Sequence, residues 1–278
     1  MPLGAELVRL GHAVTGLRRR APDGRPPTGM ELWQADITRP ETLRTLRRDF
    51  DWVVNCAASG GGTGDDYRQL YLEGNRNLVS WLGAAALQKF VYTSSTSVYG
   101  QTDGAVVTEQ SPATPEAPGA RVLVETEEWL RAAAAGGFPS VILRVAGIYG
   151  PGRGHAFRQY LRGEARIEGD GSRHLNMIHR DDVIGAILAA LERGQPGETY
   201  NAVDDEPVTQ RAFFTGLAEQ LRQPLPPSVA AEGELGRKRG ISNKRVSNAK
   251  LRTRLEYQFK YPDFRAGYAP LCAEMAGR

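Results

Sequence analysis

The densest chemistry in the chain lies in Lys89-Phe90-Val91-Tyr92-Thr93-Ser94-Ser95-Thr96-Ser97-Val98-Tyr99-Gly100. Lys89 to Thr93 is a β-branched and aromatic run of the kind that fills a strand buried in a parallel sheet. Hydroxyl residues from Thr93 to Ser97 crowd its carboxyl end, where ligands of open α/β sheets bind. Tyr99 adds a phenol, the one nearby candidate for a proton donor. With no lysine beside it, that phenol keeps a pKa of about 10 and gives up its proton slowly at neutral pH. A plain strand entering a Ser/Thr-rich loop would read the same way, so the stretch gains its weight from its company.

Other chemistries are thinly represented. There is no C-x-x-C or H-E-x-x-H, and His12, His155, His174 and His179 form no ligand set, so no metal is expected. Only Cys56 and Cys272 could form a disulfide, no secretory leader is legible in Met1 to Gly11, and the expected location is a reducing cytoplasm. A net charge of +3 does not by itself point to nucleic acid, and no apolar run approaches the length of a membrane span.

The elements that must position these groups alternate. Strand-like runs at His12 to Leu17, up to Asp36, Trp52 to Ala57, Lys89 to Thr93, Ser140 to Val145 and Thr199 to Val203 are separated by helical patterns. Amphipathic segments fall at Asp65 to Leu87, Val122 to Ala134, Asp181 to Leu191 and Val208 to Leu221. That order predicts an α/β fold with a Rossmann-type doubly wound parallel sheet and a smaller C-terminal substrate lobe.

Ser94-Ser95-Thr96-Ser97-Val98-Tyr99-Gly100 resembles the Ser-Ser-x-x-Val-Tyr-Gly signature of extended short-chain dehydrogenases/reductases, the NAD-dependent epimerase/dehydratase family. Further likenesses follow in order: Asp36-Ile37 beside an adenine, Asn55-Cys56-Ala57-Ala58, Leu143 to Arg153 containing Tyr149-Gly150-Pro151, and Ile178-His179-Arg180-Asp181-Asp182. The resemblance implies a nicotinamide dinucleotide cofactor and a small-molecule substrate. Ser95 would hold the substrate's reacting oxygen, flanked by Ser94 and Thr96, with Arg153 for an anionic group. Arg18, Arg19, Asp36, Ile37, Ala57, Ala58, Gly147 and Tyr149 would face the cofactor. Arginine after the second strand suits the 2′-phosphate of NADP, so NADP is slightly favoured over NAD, although a solvated basic turn reads alike. The glycine run Ser59 to Gly64 is expected on the rim of the site, or as a linker.

The chain departs from that pattern twice. Leu3 to His12 looks like the tail of the family's first helix, so the glycine-rich turn and the first strand are expected upstream of Met1. That fits a start set roughly a dozen residues late, the alternative being a shortened protein. Where the family carries Tyr-x-x-x-Lys, alignment on Glu127 places Gly119 and Leu123, and no tyrosine here has lysine four residues on. The atypical, YeeZ-like branch shares this loss, and Asn243 to Pro262 also resembles it.

The resemblance divides the chain into a dinucleotide-binding domain, 1–154 and 175–206, and a substrate lobe, 155–174 and 207–278. Members of that family often pair through two helices flanking the sheet, which here would be Asp65 to Leu87 and Val122 to Ala134 and would make a homodimer, the oligomeric state itself being left open. The basic cluster Arg237, Lys238, Arg239, Lys244, Arg245, Lys250, Arg252 and Arg254 suits either a phosphate or a solvated surface. Asp181 or Asp182 suits a helix N-cap. Two functions compete: an oxidoreductase or epimerase acting on a hydroxyl or carbonyl carbon, and a dinucleotide-binding sensor or scaffold without the acid/base pair.

Overall fold

A computed structural model describes residues 2–20, 27–59, 64–83, 87–230 and 242–276. The predicted apolar runs become strands that pair in parallel. β1 (Val14–Arg18) pairs with β2 (Met30–Gln34) in a ladder of their own. β3 (Trp52–Asn55), β4 (Lys89–Ser95), β5 (Ser140–Val145) and β6 (Thr199–Ala202) form a second ladder in the order β3-β4-β5-β6. Among the described residues no ladder joins β1 to β3. β1 and β3 are therefore each the terminal strand of their own ladder. The burial agrees: β4 and β5 are largely buried, whereas the apolar residues of β1 and Trp52, Val53 and Val54 of β3 are half-buried.

Successive residues of a strand face opposite sides, and both sides here are apolar. Phe90, Tyr92 and Ile142 pack with Leu78, Leu82 and Leu130, which belong to α3 (Gly74–Leu82) and α4 (Pro118–Ala135). Val91, Val141 and Leu143 face Val183, Ala186, Ile187 and Ala190 of α5 (Arg180–Arg193). The sheet is thus covered on both faces, which makes it doubly wound. Other helices include α1 (Pro2–Arg9), α2 (Gly64–Tyr67), α6 (Gln210–Leu221) and α7 (Phe264–Ala276).

The single helix expected over Asp65 to Leu87 is broken differently. α2 opens into a π-helical turn, Arg68–Glu73, before α3, and Gly83 at φ +63° ends the run. A second apolar core gathers Phe157, Tyr160, Ile167, Phe213, Phe214, Leu217, Phe264 and Tyr268. The segment 242–255 returns to the first core: Arg245–Val246 pairs with Val106–Val107, and Val246, Leu251 and Leu255 bury against the sheet. Arg237, Lys238 and Arg239 lie outside the described residues, as do Gly60 to Thr63. Of the other members of the basic cluster, Lys250 pairs with Glu198 and Arg252 with Asp205, while Lys244 is buried.

Candidate active site at the carboxyl edge of the sheet

At the carboxyl end of β4 adjacent serines part company because the strand alternates. Ser94 lies on the α4 face, where its hydroxyl donates to Glu127 Oε1 at 2.6 Å. Arg144 of β5, on the same face, donates from Nη2 to Glu127 Oε2 at 2.6 Å and from Nε to both carboxylate oxygens at 3.1 Å. Its Nη1 reaches the Tyr99 hydroxyl at 2.8 Å, and that hydroxyl donates to Asn201 Oδ1 at 2.8 Å. All five side chains are buried. Burial raises the Tyr99 phenol above its ordinary pKa, against the opposing pull of Arg144. The hydroxyls of Ser94 and Tyr99 are therefore spent inside the protein.

Ser95 faces the other way. Its Oγ caps the short 3-10 turn Thr96–Val98 by accepting from the Ser97 backbone N–H at 3.1 Å. Its own hydrogen has no acceptor among the described residues, and the residue is half-buried. Thr96 is buried in the turn itself.

The β3 exit is held by a buried amide pair. Asn55 Nδ2 donates to Asn75 Oδ1 at 2.9 Å, Asn55 Oδ1 accepts from the Ala57 N–H at 3.2 Å, and Asn75 Nδ2 donates to the Tyr71 carbonyl at 2.6 Å. Small side chains follow, Ala57 half-buried and Ala58 exposed. Solvent reaches Cys56, yet the walls around its sulfur hold the thiol above its ordinary pKa. The β2 exit is tied to the same helix, since the Ile37 carbonyl accepts from Asn77 Nδ2 at 2.9 Å. Asp36 accepts from the N–H and hydroxyl of Thr38, at 2.9 and 2.7 Å. Arg18 and Arg19 stand exposed at the end of β1, with no carboxylate in ion-pair range among the described residues.

The β5 exit splits the expected residues. Gly147 is exposed, and a Cβ there would sit 3.2 Å from the Asn176 carbonyl. Tyr149 is turned into the second core, donating to the Asp263 carbonyl at 2.9 Å. Arg153 is exposed, and its charge pulls the Cys56 thiol down against that burial, which puts it on the cleft side. The N-cap of α5 is His179 rather than either aspartate: its Nδ1 accepts from the Asp181 N–H at 3.2 Å, and burial lowers its pKa. Asp182 instead accepts from the Tyr257 hydroxyl and the N–H groups of Lys260 and Tyr261.

Sequence reasoning passed over three features of this edge. Glu127 served only to align the helix, although a carboxylate on α4 and an arginine inside an apolar strand are a recognisable buried pair. Lys244, in a run read as surface or phosphate-binding, is buried, donates to the Tyr99 carbonyl at 2.8 Å and to Ser242 Oγ at 2.7 Å, and has its pKa pushed down to about 8 by burial and by Arg173. Tyr67 lies against the start of α4, where a Cβ on Gly119 would stand 3.0 Å from its ring.

A doubly wound parallel sheet with a hydroxyl and small-residue turns along its carboxyl edge defines a Rossmann-type α/β protein of the dinucleotide-dependent kind. The chain belongs to the NAD dependent epimerase/dehydratase family, whose model matches residues 3–202. It is 31% identical to Protein YeeZ of Escherichia coli K12 over 271 residues, covering 95% of this chain and 93% of that protein. A solved structure from Methylobacillus flagellatus, classed with NAD-dependent epimerases/dehydratases, is 33% identical with a TM-score of 0.78, covering 99% and 94% of the two chains. The fold also matches dTDP-glucose 4,6-dehydratase from Streptomyces venezuelae, solved with NAD bound (TM-score 0.81, 22% identity, 99% and 94% covered). Family membership brings a nicotinamide dinucleotide as cofactor and an oxidoreductase-like role on a small molecule. Among the described residues no helix is long and apolar enough to cross a membrane.

Proposed function

We propose that this protein is an NAD(P)-dependent oxidoreductase acting on a hydroxyl or carbonyl carbon of a small molecule, with Ser95 holding the reacting oxygen. One observation carries the reading: the Ser95 hydroxyl, at the carboxyl end of an inner strand, keeps its hydrogen while the hydroxyls of Ser94 and Tyr99 are spent inside the protein. A ligand oxygen is its natural acceptor. The residues present fit a dinucleotide laid along this edge: Ala57, Ala58 and Gly147 let it approach, Asp36 and Ile37 border its adenosine end, and Arg18 and Arg19 offer positive charge with no carboxylate in ion-pair range among the described residues. That charge supports NADP over NAD. When bound, the cofactor supplies hydride chemistry; the chain's own part is to orient the substrate oxygen and exclude water. Arg153 suits an acidic group on the substrate.

The internal engagement of Tyr99 and Tyr149 favours a second reading, a dinucleotide-binding sensor without acid/base chemistry. Titration calorimetry with NADH and NADPH, followed by a carbonyl screen, separates the two. The oxidoreductase reading expects binding, turnover, and a Ser95→Ala variant that binds the cofactor within about twofold but loses roughly a hundred- to a thousand-fold in turnover. Binding without turnover on any carbonyl supports the sensor, and retained turnover in Ser95→Ala removes the serine's role.

A further inference from the structure

We propose that Tyr67 is the acid/base phenol of this site, reaching the substrate oxygen from the side opposite Ser95. The proposal rests on the oxidoreductase reading and adds to it the group that reading lacks. It begins with topology. α2 starts just past the β3 exit turn, and α4 starts after the loop that leaves β4, so both helices begin on the carboxyl side of the sheet where ligands bind. α4 packs against Thr96–Val98, the turn that follows Ser95, and also against α2. Tyr67 and the turn that follows Ser95 therefore border the same helix.

The seat of Tyr67 is specific. A Cβ on Gly119 would stand 3.0 Å from both Cδ1 and Cε1 of the ring, so any side chain there makes the ring give by a few tenths of an ångström and a larger one displaces it. The Tyr67 ring meets that of Tyr71 with centroids 5.1 Å apart and planes at 48°. The Tyr71 hydroxyl in turn accepts from the Ser59 N–H at 3.1 Å, which leans the pair over the Ala57 to Ser59 turn. Tyr67 caps the π-helical turn Arg68–Glu73 and Tyr71 lies within it, and such widened turns recur at functional sites.

The state of the hydroxyl completes the case. The phenols of Tyr99 and Tyr149 are hydrogen-bonded inside the protein and that of Tyr92 is sealed in the core. The Tyr67 hydroxyl has no hydrogen-bond partner among the described residues, is not sealed from solvent, and sits on a half-buried residue at the cleft. Arg68 beside it is committed to Glu125 at 2.6 and 2.7 Å, so that cation does not compete for the phenol's position. In the reducing direction a carbonyl carbon takes hydride from the reduced nicotinamide, while its oxygen, hydrogen-bonded by Ser95, takes the Tyr67 proton. The phenolate then recovers a proton from water. The sum is carbonyl, reduced dinucleotide and one proton going to alcohol and oxidised dinucleotide.

The test is a pH titration of tyrosinate absorbance at about 295 nm, recorded for the wild type and for Tyr67→Phe so that their difference isolates one phenol of ten. It is run with and without saturating NAD+ or NADP+, whichever calorimetry shows to bind. A phenol facing the positively charged nicotinamide should titrate at least about one pH unit lower in the presence of the oxidised cofactor, roughly a tenfold gain in acidity. Gly119→Val, which displaces the ring, should abolish that shift and leave the thermal midpoint within a few degrees. Binding with an unmoved Tyr67 phenol overturns the proposal and leaves the oxidoreductase reading intact. Failure of both dinucleotides to bind overturns the reading, and the proposal with it.

Discussion

Glu127→Gln is the sharpest test of what holds the β4 exit in place. Glu127 is fully buried and accepts from Ser94, from Arg144 through three contacts and from Arg131 at 3.4 Å. A glutamine at this position would keep the shape, lose the charge and turn an N–H2 toward the guanidinium, leaving the Arg144 cation buried without a counter-ion. Although burial opposes its charge, the Glu127 carboxylate holds the Arg144 pKa above its ordinary value, so Arg144 cannot escape by shedding its proton. Removing one partner of a buried pair costs about 3–5 kcal/mol, against a total of about 5–15 kcal/mol for a typical folded protein. In a chain of this size that lowers the thermal midpoint by on the order of 10 °C. Urea unfolding at about pH 7 measures the loss. A companion, Glu127→Gln with Arg144→Met, removes the stranded charge and should regain part of it. A Glu127→Gln protein within about 1 kcal/mol of wild type would refute the assignment of that network as the clamp on Ser94 and Ser95.

Two predictions concern pH. Asp204 is buried, and burial, opposed by the Glu206 backbone N–H and joined by the charges of Asp263, Asp205 and Glu206, raises its pKa well above the ordinary carboxylate value. The native state therefore holds this proton longer than the unfolded chain, and its stabilisation fades as pH rises from about 4 through the native pKa. Asp204→Asn should gain on the wild type between about pH 5 and pH 8 in urea midpoint; a constant gap would sink the assignment. Lys244 has the opposite sign. Its native pKa of about 8 lies below the value of about 10.4 for an unfolded lysine, so the unfolded state binds more protons between those limits and stability rises with pH. Relative to Lys244→Met, the wild type should gain up to about 3 kcal/mol across that window. Parallel stability curves for the two proteins would remove the buried charge from the account.

Much of this architecture was legible in the letters because parallel strands buried on both faces leave long apolar runs. Ser140–Val145 was read to the residue, and the other strand runs were placed with ends off by a residue or two. The π-helical turn was not legible: Asp65 to Leu87 carries an ordinary helical pattern, and the extra residue per turn leaves no mark in that spacing. The partners of Tyr99, Tyr149 and Lys244 were equally hidden. Each is bonded to a residue from 45 to 145 positions away, Arg144, Asp263 and the Tyr99 carbonyl respectively, and such pairings depend on the assembled fold rather than local spacing.

The adjacent pair Ser94 and Ser95 shows how sequence and fold divide the work. Two serines in a loop would be interchangeable; on a strand, the period of two sends one into the protein and the other toward the opposite face. Ser94 spends its hydroxyl on the Glu127 and Arg144 pair, anchoring the last strand position before the turn, and Ser95 is held by the Ser97 N–H with its hydrogen unspent. The buried charges therefore act on the site through geometry rather than proton transfer. In the role proposed for it, the Ser95 hydroxyl must be held within a fraction of an ångström to be effective, and the residue beside it is bonded to an ion pair that water does not reach. Tyr99, in the same network, steadies that turn from below, which explains why the phenol nearest Ser95 in sequence is the one committed to structure.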